Sequence, residues 1–98
     1  MRKSISEIIK EGKRVKGDLF NIYYRESVNY KIGFIASSKI GKSVKRNYVK
    51  RIIRELWKKN FKKGDFIFVL KPPSLNCKRE EIEKEIERMV KLVKWENF

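Results

Sequence analysis

Residues 39–63, KIGKSVKRNYVKRIIRELWKKNFKK, admit few folds because the stretch is both strongly cationic and amphipathic. It holds 11 of the 26 Lys and Arg residues and one acid, Glu55, a local charge of +10 within a total of +14. Wound as a helix from Ser43 to about Asn60, it separates into two faces. Val44, Tyr48, Val49, Ile52, Ile53 and Leu56 form an apolar stripe, while Arg46, Asn47, Lys50, Arg51, Arg54 and Lys58 occupy much of the other side. The stripe requires a docking surface, which the rest of the chain supplies as a sheet. The basic side requires a polyanion.

The start of this helix sharpens the argument. Lys42, Lys45 and Arg46 stand beside or within the first turn, where the helix macrodipole disfavours cations by roughly 0.3–1 kcal/mol each. Free backbone N–H groups at such an end suit phosphate. Folding alone favours acids there, so a phosphate-bearing partner accounts for the cations better than a merely solvated helix face does.

At 98 residues, the chain is read as one domain, 1–98. Its apolar fraction of 41% supports a core, and 39% charged residues imply a heavily solvated exterior. A net charge of +14 points to RNA, DNA or an acidic surface. No apolar run approaches the roughly 18 residues of a membrane span, and no signal-peptide core opens the sequence. The expectation is a soluble cytoplasmic protein without a membrane partner. With Cys77 alone and no His, an intramolecular disulfide, a Cys/His zinc site and a His-activated nucleophile are excluded.

Around the basic segment the pattern alternates between helix and strand. Ser4–Lys10 reads as a short helix ended by Gly12, with Ile5, Ile8 and Ile9 on one side. A short edge strand falls near Arg14-Val15. Leu19–Tyr24 and Tyr30–Ser37 read as strands and are expected to pair as an antiparallel hairpin. Their alternation places Phe20, Ile22, Tyr24, Ile32, Phe34 and Ala36 under a helix. Asn21, Tyr23, Ile35 and Ser37 fall on the opposite face, which suits either an ordinary half-exposed surface or a platform for unpaired bases. Asp65–Leu70 reads as an interior strand stopped by Pro72-Pro73. After a loop, Arg79–Lys94 reads as a structural helix with acids at its N-terminal end.

Catalytic chemistry is hard to assemble from these residues. Metal-dependent hydrolysis needs several carboxylates converging on divalent ions, and Asp18, Glu55 and Asp65 are scattered along the chain. Gly33 and Gly41 form neither a P-loop nor a dinucleotide fingerprint. From the residues alone, this is a binder of nucleic acid with no catalytic residues, metal ligands or small-molecule substrate of its own.

The run Ser38-Lys39-Ile40-Gly41-Lys42-Ser43-Val44-Lys45-Arg46-Asn47-Tyr48-Val49-Lys50-Arg51-Ile52-Ile53-Arg54-Glu55 resembles the signature of the bacterial ribonuclease P protein family, roughly K-x-G-x-A-V-x-R-N-R-x-K-R-x-x-R-E. The likeness extends through Gly12-Lys13-Arg14-Val15 and Ile32-Gly33 before it, and Gly64-Asp65 and Lys71-Pro72 after it. The resemblance implies a two-layer α/β (α+β) sandwich of order αβββαβα with a left-handed βαβ crossover, akin to the second domain of a small-subunit ribosomal protein. It implies the non-catalytic protein subunit of an endoribonuclease that removes the 5′ leader of precursor tRNA. Its partners would be a catalytic ribonuclease P RNA, which uses Mg²⁺ for the chemistry, and the leader itself.

Carried over by position, Lys39, Lys42, Lys45, Arg46, Asn47, Lys50, Arg51 and Arg54 would contact RNA. Ile5, Ile9, Asn21, Tyr23, Ile35 and Ser37 would form the leader-binding cleft. Three positions depart from the family pattern. Tyr48 replaces a usual Arg, leaving it open between core packing and RNA contact. Ile5 and Ile9 stand where aromatics are frequent, and the N-terminus lacks much of a common basic extension. A small ribosomal or other structural RNA-binding protein shares the charge without requiring the ordered motif. A double-stranded DNA binder would instead lay the basic helix in a major groove.

Overall fold

The computed structural model describes residues 8–10, 12–36 and 43–93. Residues 8–10 are helical, and Gly12 closes that helix by donating its N–H to Ile8 O at 2.8 Å. A Cβ at position 12 would lie 2.4 Å from that oxygen and 2.5 Å from Tyr24 O. Only glycine lets the helix end against the adjoining strand. The chain continues through β1 (Lys13–Val15), β2 (Phe20–Arg25), β3 (Tyr30–Ile35) and the central helix (Ser43–Asn60). β4 (Gly64–Leu70), a 3₁₀ turn (Pro72–Asn76) and the last helix (Arg79–Val90) complete it. The order αβββαβα follows the expectation, and the molecule is an α+β fold with a four-stranded mixed sheet.

The sheet order is β1-β2-β4-β3, which corrects the expected hairpin. β2 and β3 do not pair with each other. β4 lies between them, antiparallel to β2 and parallel to β3. The composition of β4 explains its position: Phe66, Ile67, Phe68 and Leu70 are all buried, and an apolar strand is best satisfied with a neighbour on each side and cover on both faces. The polar segment between β2 and β3 spans the width of the intervening strand. Gly64 opens β4 with φ 109°, a backbone conformation that side chains disfavour, and donates to Asn29 O at 3.1 Å.

One face of the sheet carries both long helices. Phe20, Ile22, Tyr24, Phe66 and Phe68 meet Val49, Ile52, Ile53 and Trp57 of the central helix and Ile82, Ile86 and Met89 of the last helix in one core. Ile32, Phe34 and Ala36 pack against it, as their alternation requires. Trp57 anchors this layer, with its ring centroid 5.3 Å from Phe66, 5.0 Å from Phe68 and 4.7 Å from Phe61. The buried stripe is therefore rotated from the expected one. It begins at Val49 and continues to Trp57, while Val44 and Tyr48 are 77% and 42% exposed.

A polar clamp fixes the turn between β1 and β2. Glu85, buried on the last helix, accepts the backbone N–H groups of Asp18 (2.6 Å) and Leu19 (2.9 Å), and its other oxygen takes the Arg88 guanidinium. Lys71 Nζ donates to Gly17 O at 2.6 Å. Burial pushes the Glu85 carboxyl up, but the Leu19 N–H, Arg88 and the Asp18 N–H outweigh it and hold it below its ordinary value.

Candidate nucleic-acid interface

The central helix turns its cations outward because its apolar positions are committed to the sheet. Lys45, Asn47, Arg51, Arg54 and Lys58 are exposed, and Arg46 and Lys50 lie half-buried along the flank. No acid occupies the first turn, whereas the last carries Lys58 and Lys59. Glu55 is drawn aside by Arg79, whose guanidinium lies 3.2 Å from it and 2.9 Å from Glu83. The one acid of the basic segment therefore joins the central helix to the last helix. It remains exposed on the flank it shares with Arg51, Arg54, Lys58 and Lys59.

Two arginines on this ridge are steered by aromatic rings. Arg54 lies 5.0 Å from the centroid of Phe34, across the helix–sheet junction, and Arg51 lies 5.8 Å from that of Tyr48. Such contacts hold a long side chain near the surface while leaving its guanidinium edge able to donate to phosphate. Of the positions expected to bind RNA, Lys45, Arg46, Asn47, Lys50, Arg51 and Arg54 share this helix. Lys39 and Lys42 lie outside the described residues.

The opposite face of the sheet is a second, separate surface. Cross-strand register aligns Arg14, Tyr23, Ile67 and Gly33 in one row, and Asn21, Val69 and Ile35 in the next. Tyr23, Asn21 and Ile35 are half-buried, as is Ile9 of the first helical segment. Ile5 and Ser37 lie outside the described residues. Asn21 has a structural commitment as well, its Oδ1 accepting the Gly17 N–H at 3.2 Å.

Ile67 and Val69 belong to this face but escaped the sequence reading, because a β2–β3 hairpin leaves no strand between Tyr23 and Ile35. The continuous apolar run of β4 was the available signal for a central strand. Gly33 also matters here: a Cβ at that position would stand 3.0 Å from Ile67 Cδ1. Its absence lets the Ile67 side chain lie low across β3 and keeps the row shallow. Beyond these rows, Arg25 Nε pairs with buried Asp65 at 3.1 Å.

The scattered carboxylates do not converge. Asp65 is engaged with Arg25, Glu55 with Arg79, and Asp18 is exposed on the turn held by Glu85. Among the described residues no group of three or more Asp, Glu, Cys or His side chains is placed to hold a metal ion, and no helix is long and apolar enough to cross a membrane.

Comparison with known proteins gives matches in both sequence and fold. The family model described as ribonuclease P matches residues 1–94. A ribonuclease P protein component from Macrococcus caseolyticus is 37% identical over 94 residues, covering 90% of this chain and 82% of that one. Another, from a Nitratiruptor species, is 29% identical over 96 residues, covering 95% and 88%. The structure of the Staphylococcus aureus RNase P protein superposes with a TM-score of 0.81 at 26% identity, covering 94% of this chain and 92% of that one. The Thermotoga maritima RNase P protein shares the fold at a TM-score of 0.82 and 22% identity, covering 96% and 94%.

Proposed function

The chain belongs to the ribonuclease P protein family, and from that premise we propose that it is the RNA-binding subunit of a ribonucleoprotein that removes the 5′ leader from precursor tRNA. The basic ridge of the central helix docks on the catalytic RNA through Lys45, Arg46, Asn47, Lys50, Arg51 and Arg54, and Lys39 and Lys42 are further contacts with it. Tyr23, Asn21 and Ile35 on the far face of the sheet, together with Ile9 and with Ile5 and Ser37, hold the leader. The hydrolytic chemistry would be supplied by Mg²⁺ held by the catalytic RNA. The protein positions the substrate and offsets phosphate repulsion as the RNAs meet.

One observation carries this reading. The cations are concentrated on a helix packed against one side of the sheet, while half-buried Tyr23, with Asn21 and Ile35, lies on the other. Such a molecule can grip two RNA segments at once, one by phosphate charge and one by stacking and apolar contact.

The two surfaces separate by mutation. Lys50→Ala is expected to weaken binding to the catalytic RNA and to reduce the slope of log affinity against log salt by about one. Tyr23→Ala is expected to lower holoenzyme affinity for precursor tRNA roughly 5- to 100-fold. Its affinity for the catalytic RNA should stay within about twofold. An unchanged slope for Lys50→Ala removes that residue from the phosphate contacts. Equal loss of both affinities for Tyr23→Ala contradicts the division of labour.

A further inference from the structure

The basic helix carries an apolar feature that phosphate binding does not use. Val44 and Tyr48, one helical turn apart, are two of the four large hydrophobic residues exposed among those described. They border an open groove between the central helix and the 3₁₀ turn, lined on the other side by Leu75 of that turn and by Cys77 just after it, with Lys45 and Arg51 also in the lining. Its lining therefore combines apolar and aromatic side chains with cations, Arg54 and the amide of Asn47 included. Arg51 lies 5.8 Å from the Tyr48 centroid, near the outer limit of about 6 Å for a cation–π contact. That loose contact leaves the ring available to another partner.

Phosphate alone gains nothing from Val44 and Leu75, and a purely apolar ligand gains nothing from Lys45 and Arg51. A nucleotide satisfies both, with its base on the apolar and aromatic side chains and its phosphate at the cations. Building on the proposed function, we propose that this groove receives an unpaired base of the catalytic RNA, with Tyr48 as the stacking surface and Lys45 and Arg51 holding the flanking phosphates. The catalytic RNA is the occupant because the groove adjoins the basic ridge, on the side of the sheet away from the Tyr23 row. Tyr48 is thus a recognition residue with a role distinct from a phosphate-binding cation.

The test measures the affinity of a bacterial ribonuclease P catalytic RNA for wild-type protein, Tyr48→Ala, Tyr48→Phe and Val44→Ser across a range of salt concentrations. Circular dichroism confirms that each variant is folded. Tyr48→Ala is expected to lose roughly 5- to 100-fold in affinity at every salt concentration with an unchanged slope, because stacking releases no counterions. Tyr48→Phe should remain within about twofold of wild type, and Val44→Ser should lose severalfold, also at constant slope. Wild-type affinity in Tyr48→Ala overturns the groove while leaving the basic ridge intact. Equal losses in Tyr48→Phe and Tyr48→Ala replace stacking by a hydroxyl contact and overturn it too. A loss confined to precursor tRNA affinity of the holoenzyme overturns the assigned occupant. Absence of salt-dependent binding by the wild type overturns the underlying RNA-docking reading, and the groove assignment with it.

Discussion

Glu85 shows how much a single buried charge can organise. Three donors converge on it from the β1–β2 turn and from Arg88, so its carboxylate joins the last helix to the edge of the sheet. Its pKa is depressed in the folded protein. The corresponding stabilisation is complete above the unfolded-state carboxylate range and disappears as pH falls through the folded value. Glu85→Gln is expected to lower stability at neutral pH by about 1–2 kcal/mol and to flatten its decline in acid. Denaturant melts at a series of pH values read both effects, and an unaltered acid limb would contradict the clamp. On the basic helix, residue identity predicts role less simply. Arg54 lies over the Phe34 ring, Arg51 only loosely near that of Tyr48, and Glu55 serves the fold through Arg79.

Periodicity located the elements well and their neighbours less well. The central helix, the interior character of β4 and the inward alternation of Phe20, Ile22 and Tyr24 are legible because each follows from local spacing. The position of β4 between β2 and β3 is a long-range pairing that spacing does not encode. The error displaced Ile67 and Val69 from the far face of the sheet, although Tyr23 and Ile35 were placed there. The central helix posed a subtler problem. Val44 and Tyr48 fit an apolar stripe, but none of residues 44–48 is buried. The core instead centres on Trp57, which three phenylalanines surround. Trp57→Ala is expected to cost about 3–5 kcal/mol, measurable as a lowered denaturation midpoint. A loss below about 1 kcal/mol would place the helix–sheet anchor elsewhere.

Across the whole molecule, the sheet acts as a partition. Both long helices and the main core lie on one side, and the row containing Tyr23, Ile67 and Ile35 lies on the other. A charge of +14 on 98 residues is self-repelling in isolation and is relieved by a polyanion, so binding to RNA should also stabilise the fold. Under the proposed function, two surfaces on opposite sides of one small sheet would let a single subunit hold catalyst and substrate together. The most direct measurement of that claim is cleavage of precursor tRNA at low, near-physiological Mg²⁺ by a bacterial ribonuclease P RNA, with and without this protein. Cleavage at the mature 5′ end is expected to require the RNA and to be strongly increased by the protein. Cleavage by the protein alone, or a rate indifferent to its addition, would contradict the claim.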